Sequence, residues 1–365
     1  MESFLTSVEK LLMVRSTAER PAELRRALEI VLESVGPGFT VEHFESGGKP
    51  SALVYAAKSR PDRFRVILNG HLDVVPAPAE QFKPRRIGAR LYARGAQDMK
   101  VSVLALAHVF RESAADLPYP LALQLVTDEE VGGYNGTAHQ IDQGVAGDFV
   151  VIGEQSGLRI VTDSKGMAIV DLRAEGRSAH SAYQWQGDNA LVKLWRTLEN
   201  LTTAYPVAAE EVWRTTVTLS RVTTPNPARN QVPDSAEAWL DIRYIPEDAD
   251  FSGRTPEQIA AHIATYCEPG VTPVVLRADP PHHADPASPD VRSLQRAARG
   301  QGYPADFLRK HGAADGRFYY QRGIEAVIFG VGGEGQHGPE EYVDITTIAP
   351  YCRALMDFLR NLSPR

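Results

Sequence analysis

The feature that most constrains the fold of this chain is a repeated pattern, in which a short apolar run is followed by acidic or histidine residues. The clearest runs are Val66–Leu68, Leu121–Val126 and Phe149–Ile152. Apolar runs of this length predict buried strands, and the segments between them include helical spacing. Strands that alternate with helices predict a largely parallel sheet covered on both faces. Ligands bind such sheets at the carboxyl ends of the strands, so the polar residues after each run are candidate site residues.

His71 and Asp73 follow the first run, within the segment Asn69–Pro76. They are two residues apart, so in extended chain their side chains face the same way. Glu129 and Glu130 close the second run and precede a double glycine. The pattern therefore predicts that a histidine and several carboxylates gather at one edge of the sheet.

Five candidate metal ligands emerge from this pattern and from the loops around it: His71, Asp98, Glu130, Glu154 and His337. Two imidazoles and three carboxylates suit Zn²⁺, and Co²⁺ or Mn²⁺ can also use them. If the Asp98 carboxylate bridges two metal ions, each ion could also bind one histidine and one glutamate. Water held between them would lose a proton near neutral pH and become the nucleophile. Glu129, next to a ligand, is then the natural general base.

The composition excludes several other classes of protein. A net charge of −7 gives no attraction to nucleic acid or to acidic membranes. Cys267 and Cys352 are far apart and lack a CxxC spacing, which argues against a disulfide framework or a thiolate zinc site. No stretch approaches the roughly 20 apolar residues of a membrane span, and the segment Met1–Phe4 does not begin a signal peptide. We therefore expect a cytoplasmic protein that acts on a small molecule.

The pattern of the chain changes between Lys165 and about Pro281. The spacing there predicts strand, helix, two strands, helix and strand, which is the ferredoxin-like β-α-β-β-α-β order. A chain of 365 residues favours two domains. We predict a catalytic, metal-binding domain formed by residues 1–164 and 282–365, with an inserted lid domain formed by residues 165–281.

Six motifs occur in order along nearly the whole chain. They are GHLDVVP at Gly70–Pro76, LYARGAQDMK at Leu91–Lys100, TDEEVGG at Thr127–Gly133, GEQSG at Gly153–Gly157, GRSAHSA at Gly176–Ala182 and HGPEEYV at His337–Val343. With these motifs the chain resembles the di-zinc amidohydrolase and peptidase family that includes acetylornithine deacetylase, succinyl-diaminopimelate desuccinylase, aminoacylase-1 and glutamate carboxypeptidase. The resemblance implies a zinc-aminopeptidase-like catalytic domain and dimerisation through the lid.

The resemblance also implies a role for each residue of the metal centre. One ion would lie on His71, Asp98 and Glu154, and the other on Asp98, Glu130 and His337, with Glu129 as the base. Asp73 would orient His71. The peptide bond between Asp98 and Met99 would be cis.

In the lid, the resemblance implies that His180 reaches the site of the neighbouring subunit of a homodimer and stabilises the oxyanion. Asn230 and Arg243 resemble the lid groups that hold the carboxylate of the substrate. In the catalytic domain, Arg317 could contact substrate or form an internal salt bridge. Tyr183 and Trp185 could favour a bulky or aromatic acyl group, or could simply pack within the lid.

The function expected from these residues is hydrolysis of the amide bond of an N-acyl amino acid or related derivative by a metal-bridged hydroxide. Glu154 favours a deacetylase or desuccinylase, because family members with aspartate there tend to be peptidases. The alternative is a dipeptidase or carboxypeptidase with the same two-metal site. A non-catalytic binding protein on this fold is a further alternative, and the complete set of ligands argues against it.

Overall fold

The computed structural model describes residues 2–363, and side chains from residue 4 onward. The helices are α1 (Glu2–Leu12), α2 (Pro21–Val35), α3 (Lys100–Ser113), α4 (Thr137–Asp142), α5 (Ala190–Ala204), α6 (Pro256–Ala264), α7 (Pro289–Gly300), α8 (Gly316–Gln321) and α9 (Ile348–Arg360). The first strands are β1 (Thr40–Ser46), β2 (Lys49–Tyr55), β3 (Phe64–His71), β4 (Arg85–Ile87), β5 (Arg90–Tyr92), β6 (Leu121–Val126), β7 (Gly147–Ile152) and β8 (Ile160–Ser164). They are followed by β9 (Gly166–Glu175), β10 (Thr216–Thr223), β11 (Ser235–Tyr244), β12 (Val271–Asp279), β13 (His282–His283), β14 (Phe307–Lys310), β15 (Glu325–Ile328), β16 (Gly333–Glu334) and β17 (Tyr342–Asp344).

The described chain divides into two compact units. Unit 1 comprises the described residues of Met1–Thr162, His283–Leu308 and Ala314–Arg365, and unit 2 comprises Asp163–His282 and Arg309–Ala313. The short second segment of unit 2 is held by the backbone N–H of Lys165, which donates to the carbonyl of Lys310 at 3.2 Å. The assignment of catalytic and lid roles to separate domains stays a prediction.

The large sheet of unit 1 has a parallel centre. Its strand order is β1-β2-β6-β3-β7-β15-β8-β13, and β14 pairs with β8. Strand β3 is parallel to both β6 and β7, whereas β1 and β2 are antiparallel. The register places His71 beside Val126, so β3 and β6 end level with each other, and it places Asn69 beside Ile152, so β7 ends two residues earlier. This mixed sheet confirms the predicted α/β class.

The core of unit 1 lies on both faces of this sheet. Strand β3 is buried along its whole length, as a short apolar run at the centre of a parallel sheet requires. Helix α3 packs on one face against β3 and α9, through apolar side chains such as Leu106, Phe110 and Leu355. A smaller apolar cluster that includes Ile67, Val150 and Tyr319 is separate from it. Both faces of the sheet are therefore covered, and the ends of its strands are the part that stays open.

Unit 2 has the β-α-β-β-α-β order that the sequence predicts. Its antiparallel sheet has the order β10-β11-β9-β12, and α5 and α6 pack against it. Helix α6 begins with a capping box in which Thr255 and Gln258 each satisfy a backbone N–H of the other. The strands alternate buried and less buried residues, which is typical of a sheet with one covered face.

Within the described residues, no helix combines the length and the apolar character that a membrane span requires. The cytoplasmic location stays a prediction.

Candidate metal centre

Acidic and histidine side chains of unit 1 gather at the carboxyl edge of the large sheet in two groups. The first group contains His71, Glu129 and Glu154, and the second contains Asp98, Glu130 and His337. In each group, one ligand atom from every residue lies within 4.8 Å of the others. The adjacent carboxyl ends of β3, β6 and β7 bring His71 and the three glutamates to the same part of the sheet.

Asp98 connects the two groups. Its Oδ1 lies 3.0 Å from Nε2 of His71, and its Oδ2 lies 3.2 Å from Nε2 of His337. The same His337 nitrogen is 3.1 Å from Oε2 of Glu130. Asp98 is buried, and its peptide bond to Met99 is cis, as the resemblance implies. One carboxylate thus faces both imidazoles, which is the arrangement that a bridging ligand needs.

Asp73 holds the backbone of the residues that bring two glutamates to this centre. Its Oδ1 accepts the backbone N–H of Glu129 at 3.2 Å, and its Oδ2 accepts that of Glu130 at 3.0 Å. The ring Nδ1 of His71 lies 3.0 Å from the carbonyl oxygen of Asp73 and 3.4 Å from Oδ1. An Nδ1–H that donates to this carbonyl leaves Nε2 free to bind a metal. These contacts fit the implied orienting role of Asp73.

Burial and crowding shift the pKa values of the acids and histidines. Burial, and then the Glu154 carboxylate, raise the pKa of Glu129 well above its usual range. Hydrogen bonds to Asp98 and Glu130 raise the pKa of His337 to about 10. Burial opposes ionisation of Asp98, but hydrogen bonds with His337 and His71 outweigh it and lower the pKa of that carboxyl. These shifts reflect the close packing of acids and imidazoles in a partly buried place, where divalent cations would relieve the repulsion between carboxylates.

Two glutamines that were not predicted as site residues form a chain of hydrogen bonds that ends at Asp98. Nε2 of Gln336 donates to Oδ2 of Asp98 at 2.6 Å, and Nε2 of Gln155 donates to Oε1 of Gln336 at 2.6 Å. Gln155 follows Glu154, and Gln336 precedes His337. Their positions beside predicted ligands are the sequence signal that could have identified them.

Arg94 and Glu341 were also missed, although both lie inside the recognised motifs. They form a buried ion pair beside Asp98 and His337. An arginine and a glutamate separated by more than 200 residues carry no local signal of pairing, so only the fold brings them together.

Arg317, predicted either to contact substrate or to form an internal salt bridge, is buried in unit 1. Its Nη2 donates to the carbonyl of Gly132 at 2.7 Å, and its guanidinium carbon lies 4.4 Å from the ring centre of Phe318. Gly132 ends the turn that carries Glu129 and Glu130. The arginine thus holds this turn in place, and its contact with substrate stays a prediction.

The remaining predicted site residues lie in unit 2. His180 precedes a short 3₁₀ segment, and its Nδ1 accepts the backbone N–H of Ala182 at 3.1 Å. The backbone N–H of Ser181 donates to the carbonyl of Asn230 at 2.9 Å, so His180 and Asn230 lie on adjoining segments. Arg243 lies on β11, where it donates to both carboxylate oxygens of Asp241 at 2.6 and 2.9 Å. The roles of these residues stay predictions.

The chain is similar to known proteins along most of its length. The model of the peptidase family M20/M25/M40 matches residues 67–361. A putative succinyl-diaminopimelate desuccinylase of Mycobacterium tuberculosis is 27% identical over 362 residues, which cover 96% of this chain and 95% of that protein.

Solved structures of low sequence identity share the fold. A tripeptidase from Staphylococcus aureus has a TM-score of 0.77 at 18% identity and covers 98% of this chain and 97% of its own. A dinuclear metal-binding peptidase from Bacillus subtilis has a TM-score of 0.66 at 15% identity and covers 99% of both chains.

Proposed function

Because the chain belongs to the peptidase family M20/M25/M40, we propose that it hydrolyses the amide bond of an N-acyl amino acid, in the manner of a deacetylase or desuccinylase. Membership of this family makes it a metal-dependent hydrolase of amides. The observation that carries the proposal is the pair of side-chain groups at the carboxyl ends of the strands, one of which contains the half-buried Glu129. The similarity to a desuccinylase over nearly the whole chain supports the acyl-amino-acid substrate.

The residues at this edge fit two divalent ions, and we propose Zn²⁺. Imidazole nitrogen and carboxylate oxygen are the ligands that zinc accepts, and buried carboxylates crowded in this way favour neutralisation by cations. His71, Asp98 and Glu154 would hold one ion. Asp98, Glu130 and His337 would hold the other. When bound, the ions would polarise the amide carbonyl and make a water molecule more acidic.

Glu129 would move the proton in this reaction. Its carboxylate would take a proton from the attacking water as the oxygen–carbon bond forms, and would give it to the nitrogen as the carbon–nitrogen bond breaks. The raised pKa of Glu129, which burial causes, suits a group that must both accept and release a proton. Asp73 would keep Glu129 at the correct position through the backbone N–H of that residue.

The proposed assembly is a homodimer in which His180 of the partner subunit stabilises the oxyanion. Unit 2 offers a suitable surface, because β10 lies at an edge of its sheet and carries exposed Leu219 and Val222. On α5, Val192 and Trp195 are also exposed. An edge strand beside apolar side chains favours association with a second copy. Asn230 and Arg243 would bind the carboxylate of the substrate in this assembly.

A Glu129→Gln variant tests the proposed mechanism. The amide cannot accept the proton, so kcat should fall by about 10²–10⁴-fold while both ions stay bound. Metal analysis and steady-state kinetics with an N-acyl amino acid measure the two effects. Glu112→Gln, a change at an exposed acid on α3, is the control. Undiminished turnover of the Glu129 variant would remove its assignment as the base.

The second candidate function is that of a dipeptidase or carboxypeptidase, which the structural similarity to a tripeptidase supports. A panel of N-acetyl, N-succinyl and aromatic N-acyl amino acids, compared with dipeptides, distinguishes the two. We expect the highest kcat/KM for an N-acyl amino acid. A dipeptide with the highest kcat/KM would select the second candidate.

A further inference from the structure

We propose that the buried ion pair between Arg94 and Glu341 is a positioning device that sets the separation of Asp98 and His337. Through these two residues it would determine how tightly the second ligand group holds its ion. This inference rests on the proposed role of Asp98 and His337 as metal ligands.

Glu341 holds the segment that carries Asp98. Its Oε1 accepts the backbone N–H of Gln97 at 3.0 Å and that of Asp98 itself at 3.1 Å. Its other oxygen, Oε2, accepts a hydrogen bond from Nη1 of Arg94. A carboxylate that accepts two successive N–H groups fixes the peptide plane before Asp98 and hence the origin of its side chain.

Arg94 holds the segment that carries His337. Its Nη2 donates to the carbonyl of His337 at 3.0 Å and to that of Gly338 at 3.3 Å. His337 has a φ of +61°, a left-handed conformation that a residue with a Cβ adopts only at some energetic cost. The hydrogen bonds from the guanidinium help to hold this conformation, in which the imidazole faces Asp98 and Glu130.

The two contacts are reciprocal along the chain. Arg94 lies four residues before Asp98 and binds the backbone of His337, whereas Glu341 lies four residues after His337 and binds the backbone of Asp98. Strands β5 and β17 are neighbours in a small antiparallel sheet, and they pair beside these segments. The ion pair therefore joins two ligand-bearing segments beside the small sheet, one that follows β5 and one that connects β16 to β17.

The geometry favours positioning over stability as the purpose of the pair. Both side chains are buried, with 3% and 2% exposure, and a buried ion pair is weak evidence of net stabilisation because desolvation opposes the attraction. The hydrogen bonds of these two side chains join them to each other and to the segments that bear the predicted ligands.

Unit 1 also contains a second buried ion pair, which can serve as a matched control. Arg65 and Asp290 form a buried pair with two hydrogen bonds, at 2.8 and 2.7 Å, between β3 and α7. Arg65 lies near the opposite end of β3 from His71, so at strand rise the two residues are about 20 Å apart. An Arg→Lys change at each position removes the same planar fork from a buried pair, but only the change at Arg94 reaches the ligand-bearing segments.

The experiment measures stepwise affinity for Zn²⁺ in Arg94→Lys, Glu341→Gln, Arg65→Lys and the wild type, with titration against a chelator of known affinity. The absorption spectrum of the Co²⁺-loaded proteins reports ligand geometry independently of turnover. Thermal unfolding of the metal-free proteins reports stability. We expect Arg94→Lys and Glu341→Gln to weaken one of the two affinities by about 10–100-fold and to change the spectrum. We expect Arg65→Lys to lower Tm with both affinities unchanged.

The outcomes separate this inference from the proposed function. Wild-type affinities and spectrum in Arg94→Lys and Glu341→Gln would overturn the positioning role. If both variants fail to fold without metal while Arg65→Lys folds, the pair is structural and the inference is also wrong. If the wild type itself binds fewer than two ions, the proposed metal centre fails instead.

Discussion

At the scale of single residues, two carboxylates that are not themselves ligand candidates organise the centre in the same way. Asp73 accepts the backbone N–H groups of Glu129 and Glu130, and Glu341 accepts those of Gln97 and Asp98. Each carboxylate thus fixes a turn from which an acidic side chain enters the site. The position of each acid is set by its backbone as much as by its own rotamer.

An Asp73→Asn variant tests this principle at the first turn. The amide offers one oxygen acceptor and places its NH₂ group against the second N–H donor, so the turn that carries Glu129 and Glu130 should shift. We expect metal affinity and kcat/KM to fall by about 10–100-fold, measured by chelator competition and by kinetics. Asp142→Asn, at a surface ion pair, is the control. Unchanged values for the Asp73 variant would contradict the role of its carboxylate.

The two thiols should be protected from alkylation in the folded protein. Burial raises the pKa of Cys352 to about 12 and that of Cys267 to about 11. At pH 8 only a very small fraction of either thiol is then ionised, and the thiolate is the reactive form. We expect negligible labelling by iodoacetamide at pH 8 and labelling of both thiols in denaturant, measured by mass spectrometry. Because the thiolate fraction grows as pH rises towards the pKa, any native labelling should increase with pH. Rapid labelling at pH 8 without denaturant would show that these thiols are not protected.

At the scale of elements, the turn between β6 and α4 is confined at Gly132 and Gly133 by α8 and by the residue before it. Arg317 on α8 binds the carbonyl of Gly132, and Asp315 lies so close that a Cβ built on Gly133 would be 2.3 Å from its Oδ1. The hydroxyl of Thr137 on α4 donates to Oδ2 of Asp315 at 2.5 Å. Helix α8 and the turn that bears Glu129 and Glu130 are therefore packed as one arrangement.

A Gly133→Ala variant should disturb this turn severely. Its φ of +70° disfavours a Cβ, and the close contact with Asp315 adds a steric clash. Gly88→Ala is the matched control, because Gly88 also has a positive φ of +59° but a Cβ added there would meet no heavy atom within 4 Å. We expect the control to lose about 1 kcal/mol of unfolding free energy, and Gly133→Ala to lose more and to lose activity as well. Chemical denaturation and kinetics measure both. Equal losses of unfolding free energy in the two variants would show that the Asp315 side chain moves away from the added Cβ without cost.

The pair between Arg65 and Asp290 connects β3 to α7 in the interior of unit 1. Asp290→Asn leaves the arginine charge buried without its partner, so we expect a loss of about 3–5 kcal/mol in unfolding free energy, measured by denaturant titration. Asp148→Asn, at a more exposed ion pair with Arg63, should cost about 1 kcal/mol or less. A small loss of unfolding free energy in Asp290→Asn would mean that water or neighbouring groups compensate the buried charge of Arg65.

At the scale of the whole molecule, the proposed dimer makes each active centre depend on two chains. If His180 of the partner subunit completes the centre, two variants that are each inactive should complement one another. Mixing Glu129→Gln with His180→Ala produces heterodimers in which one of the two centres has both residues intact. Random exchange of subunits should then restore about a quarter of the wild-type activity.

The measurement is activity before and after exchange, with size-exclusion chromatography to establish the dimer. A control mixture of Glu129→Gln with a second preparation of the same variant should stay inactive. Absence of recovery after demonstrated subunit exchange would show that His180 does not act across the dimer. A fully active monomer would contradict the dimer itself.

The sequence by itself determined the family, the α/β class, the order of elements in unit 2 and the types of side chain at the carboxyl ends of the central strands. These follow from local information, because apolar runs report buried strands and the residues after each run report what the strand ends carry. His71, Glu129, Glu130 and Glu154 meet for this reason. Their roles as ligands and base stay predictions until the metal content and the variants are measured.

Only the tertiary structure decided which distant residues support that edge. The pairing of Arg94 with Glu341, the contact of Gln155 with Gln336 and the bond from Arg317 to Gly132 each join segments more than 150 residues apart. No periodicity encodes such contacts, because they depend on the register of β3 with its neighbours and on where the loops return. The sequence thus determined which chemical groups arrive at the edge of the sheet, and the packing of the chain determined the distances between them.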